Sequence, residues 1–277
     1  MAQDPDHIST APAPPTDEDS LFRRFDRPIP KNLVPHTFAL LIKDPHPLCV
    51  MAAQSLQAEL IEETRWDHNF GLSEQREGVV IGKMFGVLVV RPIDGNIGYL
   101  SAFSGKLGNS NHHPGFVPPV FDSLDETSFL NKGMREITRI TQKIARMMSE
   151  GDQDKEIASL QHDRKALSVS LQEQLYDHYH FLNKAGERKP LRDIFQAAAY
   201  KNPPAGAGEC AGPKLLQYAF LHDLQPLALA EFWWGQSPKS ATWKHKEFYP
   251  CCKEKCEPIL QHMLQGIDLP AKNKTGF

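Results

Sequence analysis

Residues 82–107 read GKMFGVLVVRPIDGNIGYLSAFSGKL, and this stretch decides the fold. Two runs rich in apolar, β-branched and aromatic residues flank the sequence IDGN at residues 93–96. Asp94 and Gly95 are residue types that accept the positive φ angles of a tight hairpin turn. The pattern therefore predicts two antiparallel strands joined by a tight turn.

An amphipathic helix is predicted just before this hairpin, at residues 46–63. The apolar residues that recur every four positions are Leu48, Ala52, Leu56 and Leu60. This spacing places them on one stripe of a helix, which then faces a core. Cys49 lies one residue beyond the stripe, and we interpret it as a small apolar filler because buried free cysteine is common.

A second helical region follows the hairpin, at residues 132–186. Apolar residues at spacings of three and four are Ile137, Ile140, Ile144 and Met148, followed after the break SEGDQD by Ile157, Leu160, Leu167, Leu171, Leu175 and Leu182. This pattern predicts an inserted antiparallel helical hairpin of coiled-coil character. Such an arm either binds a partner protein or a neighbouring domain, or packs only on itself.

The final third of the chain again alternates helix and strand signals. Residues 203–224 form a Gly-rich loop that runs into a helix, QPLALAEFWWG at residues 225–235 predicts a short strand, and CCKEKCEPILQHML at residues 251–264 predicts a last helix. Without the arm, the order is helix, strand, strand, helix, strand, helix. This order favours an α/β fold with a mixed sheet in a three-layer-like arrangement.

The sequence thus divides the chain into five segments. They are a disordered tail (1–30), a first part of the α/β domain (31–131), the helical arm (132–186), a second part of the α/β domain with the cysteine cluster (187–268) and a short tail (269–277). The first segment is rich in Pro, Asp, Ser and Thr and poor in large apolar side chains. Such a composition does not offset the entropy lost on ordering.

Composition excludes several classes of protein. The 277 residues are 40% apolar with a net charge of -3, which argues against a generally cationic nucleic-acid-coating protein. The N-terminus lacks the charged and apolar regions of a signal peptide, and no apolar run is long enough for a membrane span. We therefore expect a cytoplasmic protein without a membrane partner. Its five cysteines are then thiols or metal ligands rather than disulfides.

Four of the five cysteines lie where helices are predicted to begin. Cys210 starts one helix, and Cys251, Cys252 and Cys256 start the next. Helix N-termini favour the thiolate form that binds metal. Cys252 and Cys256 are four residues apart and share a helical face, whereas Cys251 points about 100° away. The spacing therefore predicts zinc bound by Cys210, Cys252 and Cys256.

The fourth zinc position has two interpretations. An open position holds a water molecule whose pKa the metal lowers, and Glu209 is then the candidate catalytic residue that carries protons. A closed position is filled by His245 or Cys251, which makes the site structural.

Two loops carry candidate contacts to RNA or a nucleotide. His112 and His113 either contact a phosphate or base or simply bond the backbone. The second loop mixes cations with an aromatic ring, at Lys239, Trp243, Lys244 and His245. This composition suits phosphates and stacked bases, although a solvated loop has the same composition.

The order of these motifs resembles the zinc-dependent nucleotide and nucleobase deaminase fold. In that family a His or Cys, one further residue and a Glu start one helix, and Pro-Cys-x-x-Cys starts the next. Here Glu209 directly precedes Cys210, and three residues separate Cys252 from Cys256. The resemblance implies a sheet of deaminase-like topology. In a catalytic version it implies that zinc-bound water attacks an amino-bearing ring carbon while Glu209 moves protons.

A second resemblance covers about residues 35–268. The segments that carry it are GKMFGVLVV, GYLSAFSGKLGNSNHHPGFVPPVFD, GAGECAGPKLLQYAF, LALAEFWWGQSPKS and FYPCCKEKCEPILQHMLQG. They are similar to the N-terminal region of a subgroup of large bacterial pseudouridine synthases of the RluA type, in which a helical arm also precedes the uridine-isomerising domain.

The second resemblance implies RNA modification as the context. The His-Arg-Leu-Asp motif that supplies the synthase's catalytic aspartate is missing here, so we do not expect this chain alone to make pseudouridine. We expect a zinc-binding module that is accessory to a separate pseudouridine synthase, or a divergent deaminase. The alternative is a non-catalytic RNA-binding or protein-interaction module with a structural zinc, whose arm captures the synthase or another protein.

Overall fold

The structure, a computed structural model, describes residues 21–40, 44–74, 77–125, 127–150, 154–198, 202–238 and 243–270. Its helices are α1 (Pro47–Glu62), α2 (Phe129–Glu150), α3 (Asp154–His178), α4 (Leu191–Ala197), α5 (Ala211–Leu221) and α6 (Glu257–Met263). Its strands are β1 (Arg23–Arg24), β2 (Ala39–Leu40), β3 (Lys83–Arg91), β4 (Gly98–Phe103), β5 (His180–Leu182), β6 (Arg188–Pro190), β7 (Gln225–Trp234) and β8 (Phe248–Tyr249). The expected mixed α/β class is confirmed.

The main sheet has six strands in the order β1-β4-β3-β7-β2, and β8 also pairs with β7. Strand β3 runs antiparallel to both of its neighbours, β4 and β7. Strand β2 is parallel to β7, which makes the sheet mixed. Strands β5 and β6 form a separate two-stranded sheet at the base of the arm.

The predicted hairpin is confirmed as β3 and β4, but its turn is longer than expected. Val90 pairs with Gly98, so seven residues, 91–97, separate the paired ends. Gly95 has a φ of 85°, and Asp94 does not share the positive φ of a two-residue turn. Instead, the Gly95 N–H donates to the Pro92 carbonyl at 3.0 Å. A turn closed in this way needs only one residue with positive φ.

Helices cover both faces of the sheet. Strand residues facing α1 are Phe85, Val87, Val89, Tyr99, Phe103, Leu227, Ala228, Ala230, Phe232 and Trp234. Residues of the same strands that face the opposite core, with α5 and α6, are Leu88, Val90, Leu100, Ala102 and Leu229. Successive side chains of a strand alternate between faces, so strands that are apolar throughout must be buried on both.

Helix α1 matches the predicted helix of residues 46–63 to within one residue. His46 caps it, because its Nδ1 atom accepts a hydrogen bond from the Leu48 N–H at 3.2 Å. Pro47 occupies the first turn, where its missing N–H is not needed. Cys49 is fully buried in the core, as expected for an apolar filler.

The predicted arm is present as the helix pair α2 and α3. Ile140, Ile144, Met147 and Ile157 form a small core between the two helices. Lys143 Nζ lies 3.0 Å from Glu156 Oε1 near the connecting turn. At the arm's base, the Tyr176 hydroxyl donates to the Pro203 carbonyl at 2.7 Å and so joins α3 to the loop before α5. The coiled-coil character of the arm stays a prediction.

The described chain begins inside the predicted N-terminal tail. Residues 1–20 and 271–277 lie outside the described residues. Arg23 and Arg24 form β1, which pairs with β4, and Arg23 also makes an ion pair with Glu59. Ordered contacts therefore begin before the expected boundary at residue 30. Among the described helices, none combines the length and apolar character that crossing a bilayer requires.

The last helix begins later than expected. The sequence predicts a helix over residues 251–264, but α6 begins at Glu257. Pro258 explains the difference, because a proline inside a helix removes a hydrogen bond and clashes with the preceding turn. Pro258 is tolerated only in the first turn. Cys251 and Cys252 therefore precede the helix.

One close contact seats α5 on the sheet and yields a prediction. A Cβ atom built on Gly86 would lie 2.9 Å from the Ala211 Cβ atom and 3.1 Å from Leu215 Cδ1. Gly86→Ala should therefore push the start of α5 off β3 and destabilise the protein by about 1–3 kcal/mol, as measured by urea unfolding.

The double variant Gly86→Ala/Ala211→Gly is the matched control. It removes the opposing methyl group, so its destabilisation should be smaller than the sum of the two single effects. A Gly86→Ala protein as stable as wild type would contradict this account of how α5 is seated.

Candidate metal centre

Three cysteine sulfurs come together on the α5 side of the sheet, where α5 begins. The Sγ atoms of Cys210, Cys252 and Cys256 all lie within 4.8 Å of one another, close enough to hold one metal ion. Cys252 and Cys256 are the nearest pair, with their sulfurs 3.2 Å apart. Within the described ranges, these three cysteines are the one group of His, Cys, Asp or Glu that meets this distance.

Two local structures produce this convergence. Cys210 is the N-cap residue of α5, so the packing of α5 on β3 and β7 fixes its position. Strand β8 pairs with β7 through Tyr249 and Glu231, and so brings the following segment to the same place. There the Cys256 N–H donates to the Cys252 carbonyl at 3.2 Å. A single turn, rather than the helical face expected from the sequence, therefore aligns these two cysteines.

The three thiols are strongly coupled. Hydrogen bonds from Cys210 and Cys256 lower the pKa of Cys252. The hydrogen bond to Cys252, together with burial, raises the pKa of Cys210. The sulfur–sulfur contacts favour the thiolate form of Cys252 and, together with burial, the protonated forms of Cys210 and Cys256. Metal binding would displace the remaining two protons, because thiolates are the ligands.

The donor set fits a tetrahedral thiophilic metal. Sulfurs at the usual zinc distance of about 2.3 Å would lie about 3.8 Å apart, and the observed sulfurs need only small shifts to reach that spacing. Cys256 is 2% exposed, whereas Cys252 is exposed, so the group extends from the core to the surface. Three thiolates leave one tetrahedral position for a water molecule or a further ligand.

Glu231 is a buried acid beside this group that the sequence analysis missed. It lies in the middle of β7 and is only 7% exposed. Its Oε1 atom accepts a hydrogen bond from the Gly212 N–H, in the first turn of α5, at 2.9 Å. Burial raises the pKa of Glu231 to about 7. Burial and then Glu231 raise the pKa of Cys251 to about 12, so the carboxyl acts on the neighbouring thiols.

A sequence signal for Glu231 did exist. It is the one charged residue in the run LALAEFWW at residues 227–234. A carboxyl group in a strand that is otherwise apolar is costly to bury, so it usually serves a purpose. The strand prediction rests on the apolar residues of this run and assigns no role to Glu231.

Lys214 is a second buried charge that was missed. It is 3% exposed, and its Nζ atom donates to the carbonyls of Phe103 and Gly105 at 2.9 and 3.1 Å. Burial lowers the pKa of Lys214 to about 8, while Glu209 and then Cys210 favour its charged form. Lys214 therefore joins α5 to the end of β4 by hydrogen bonds, and it places a positive charge near the thiols.

Glu209, the expected proton carrier, is held in a different network. Its Oε1 atom accepts a hydrogen bond from the Tyr179 hydroxyl at 3.4 Å. Burial lowers the pKa of Lys83, and Glu209 partly offsets that effect, so the two groups are close. Glu209 does not belong to the three-thiol group. Its catalytic role stays a prediction.

The two candidate fourth ligands also lie outside the three-thiol group in the described structure. His245 Nδ1 accepts the Gly235 N–H at 3.1 Å, and its ring packs on Trp234 with centroids 4.4 Å apart. Cys251 is half-buried next to the group. Both ligand roles stay predictions, and Cys251 is the nearer of the two to Cys252 along the chain.

The paired histidines differ from each other. His112 is exposed, and its Nε2 atom lies 2.9 Å from Asp122 Oδ2. His113 Nε2 bonds the Leu107 carbonyl at 2.9 Å, and its ring packs against Trp66. His113 therefore supports its own loop, whereas His112 remains accessible to a ligand.

The basic aromatic loop is only partly described. Lys239 lies outside the described residues. Trp243 is 37% exposed, and its ring packs on Trp233 with centroids 4.5 Å apart. Lys244 is exposed, and its N–H donates to the Tyr249 hydroxyl at 2.7 Å. Because Tyr249 pairs opposite Glu231 on β7, this loop lies next to the strand that carries the buried acid.

Glu231 gives the wild-type protein a pH dependence that can be measured. Because burial raises its pKa from 4.5 to about 7, the folded protein binds this proton more tightly than the unfolded chain does. The contribution of Glu231 to the free energy of unfolding, measured as the difference between wild type and Glu231→Gln, should therefore fall by about 3 kcal/mol as pH rises from 4.5 to about 7. Glu231→Gln, which has no such proton, should lack this fall.

Urea unfolding of chelator-treated protein across this pH range tests the prediction. The glutamine oxygen can still accept the Gly212 N–H, so the hydrogen bond survives. Glu173→Gln, which alters an exposed acid on α3, is the control and should follow wild type. Parallel stability curves for wild type and Glu231→Gln would show that Glu231 does not titrate as a buried acid.

Comparison with known proteins adds no assignment to this geometry. No protein-family model, no curated protein and no solved structure matches the chain.

Proposed function

We propose that the chain is a zinc-binding module of an RNA-modification system. The observation that carries the metal part is the convergence of Cys210 with Cys252 and Cys256, from segments far apart in the sequence. Clustered free thiols are open to oxidation, so a group of three favours a functional role such as metal binding. Zinc is the metal that best suits a small tetrahedral set of thiolates.

The RNA context rests on the resemblance to the region that precedes the catalytic domain in RluA-type synthases. The described part of the basic aromatic loop supports it. Trp243 offers an exposed ring, and Lys244 and Lys246 offer cations beside it. Lys246 Nζ also lies 5.7 Å from the centre of the Trp234 ring. Rings interleaved with cations suit stacked bases and phosphates.

We also infer a deaminase-like topology for the central sheet. Strand β3 lies between β4 and β7 and is antiparallel to both. Helix α5 directly precedes β7 along the chain, and Cys210 is the residue at its start. This arrangement supports the resemblance drawn from the order of the motifs.

In the catalytic version of the proposal, Cys210, Cys252 and Cys256 would hold zinc, and the metal would supply a water molecule of lowered pKa. Hydrolysis at an amino-bearing ring carbon would then release ammonia and leave a ring carbonyl group. Glu209 is the proposed proton carrier because it directly precedes Cys210. Its hydrogen bond from Tyr179 would orient the carboxylate.

The non-catalytic alternative has an observation in its favour. Cys256 is almost fully buried, and the three thiols join the start of α5 to the turn before α6. A metal at such a junction can have a purely structural role, in which it holds the two elements together. In that case a synthase encoded elsewhere would supply the chemistry and would bind this chain through the arm.

Metal analysis tests the metal part of the proposal. Purified wild-type protein should hold one zinc ion per chain, and Cys252→Ser should lose most of it because one thiolate is removed. Cys49→Ala is the matched control, since Cys49 is buried against β3 on the other face of the sheet. Equal zinc contents in wild type and Cys252→Ser would contradict the proposed zinc site.

Ammonia release separates the two versions. The zinc-loaded protein is incubated with a panel of nucleosides and RNA, with Glu209→Gln as the comparison. Release by wild type and a large loss in Glu209→Gln would support catalysis. Silence across the panel, with zinc fully bound, would favour the structural role.

A further inference from the structure

Helix α2 carries a row of exposed cations that neither the metal centre nor the fold requires. The residues are Lys132, Arg135, Arg139, Lys143 and Arg146, and all five are exposed. They are spaced by three or four residues, so with 3.6 residues per turn they fall within an arc of about 80°. We call this row the α2 basic face. It extends along about 21 Å of the helix.

The α2 basic face is electrostatically unfavourable on its own. Each consecutive pair of its cations is three or four residues apart, where like charges destabilise a helix. Arg139 is paired with Glu136, and Lys143 with Glu156. Lys132, Arg135 and Arg146 have no ion pair within the described ranges. Glu150, at the end of α2, is the one acid inside the arc.

The apolar side of α2 is already occupied, which leaves the basic face open. Ile140, Ile144 and Met147 pack against α3 through Ile157. These residues lie beside the cations on the helix circumference, not beneath them. A ligand can therefore reach the cations without opening the arm.

The chemistry of the α2 basic face fits a phosphate backbone. Arg and Lys contact phosphates directly, and such contacts position a nucleic acid without reading its sequence. No aromatic residue occurs between residues 130 and 150, so base stacking has no platform here. The contact should therefore depend on charge and be independent of sequence.

We propose that the α2 basic face binds the phosphate backbone of double-stranded RNA. This inference rests on the proposed RNA context, and it assigns the arm to RNA rather than to a partner protein. The cations would replace counterions along the duplex, which compensates for their mutual repulsion.

The test compares two triple variants of the full chain. Lys132→Gln/Arg135→Gln/Arg146→Gln removes the three cations without an ion pair. Lys155→Gln/Arg164→Gln/Lys165→Gln removes the same charge from α3, where the cations are scattered around the helix. Glutamine is a good helix former, so both variants should keep the arm folded.

Binding of a labelled RNA duplex is measured over a series of salt concentrations. For wild type, the logarithm of the binding constant should fall linearly with the logarithm of salt concentration. The α2 variant should bind roughly a hundredfold more weakly at about 0.1 M salt, and its slope should be smaller by about 3. The α3 variant should stay close to wild type.

The inference would be overturned by an unchanged affinity and slope in the α2 variant, by an equal loss in the α3 variant, or by no RNA binding by wild type. Polyglutamate that competes as well as unlabelled duplex would also overturn it, because the face would then suit an acidic protein. Zinc content is measured in every sample, so failure of this inference is distinguishable from failure of the metal proposal.

Discussion

The structure depends on the burial of β3 between two strands and two helical layers. Its neighbours β4 and β7 satisfy its backbone, while α1 and α5 cover its two faces. A shift of register by one residue would exchange the side chains that face each layer. The absence of a side chain at Gly86 lets the start of α5 approach the strand closely. The position of Cys210 follows from that approach.

The charges around the thiols form a balanced set. Three thiolates and a divalent metal would carry one net negative charge, and the buried ammonium of Lys214 lies within electrostatic reach of Cys210. Glu231 in its neutral form adds no charge, and at higher pH it would add a second negative one. Buried charges are tolerated where opposite charges or hydrogen bonds compensate them. The protonation of Glu231 therefore bears on how tightly a cation is held.

The sequence predicted those features that depend on local pattern. Two β-rich apolar runs around the Asp94-Gly95 pair revealed the hairpin, four-residue spacing revealed α1, and clustering revealed the three cysteines. The length of the turn between β3 and β4 was not predicted. The start of α6 was not predicted either, because Pro258 overrides the helix signal of its neighbours. Lys214 could not be recognised, since its role comes from carbonyl groups more than a hundred residues away. Periodicity carries no information about such distant partners.

The spacing of the thiols along the chain has a mechanical consequence. A metal shared by Cys210 and Cys252 closes a loop that contains α5, β7 and β8. For a covalent cross-link across such a loop, the entropy removed from the unfolded chain is worth about 4 kcal/mol. The ion would thus act as a staple around β7, the strand with which β2, β3 and β8 all pair. Because the effect is on the unfolded chain, chelation would lower the stability of the whole protein and not only of the segment beside the metal.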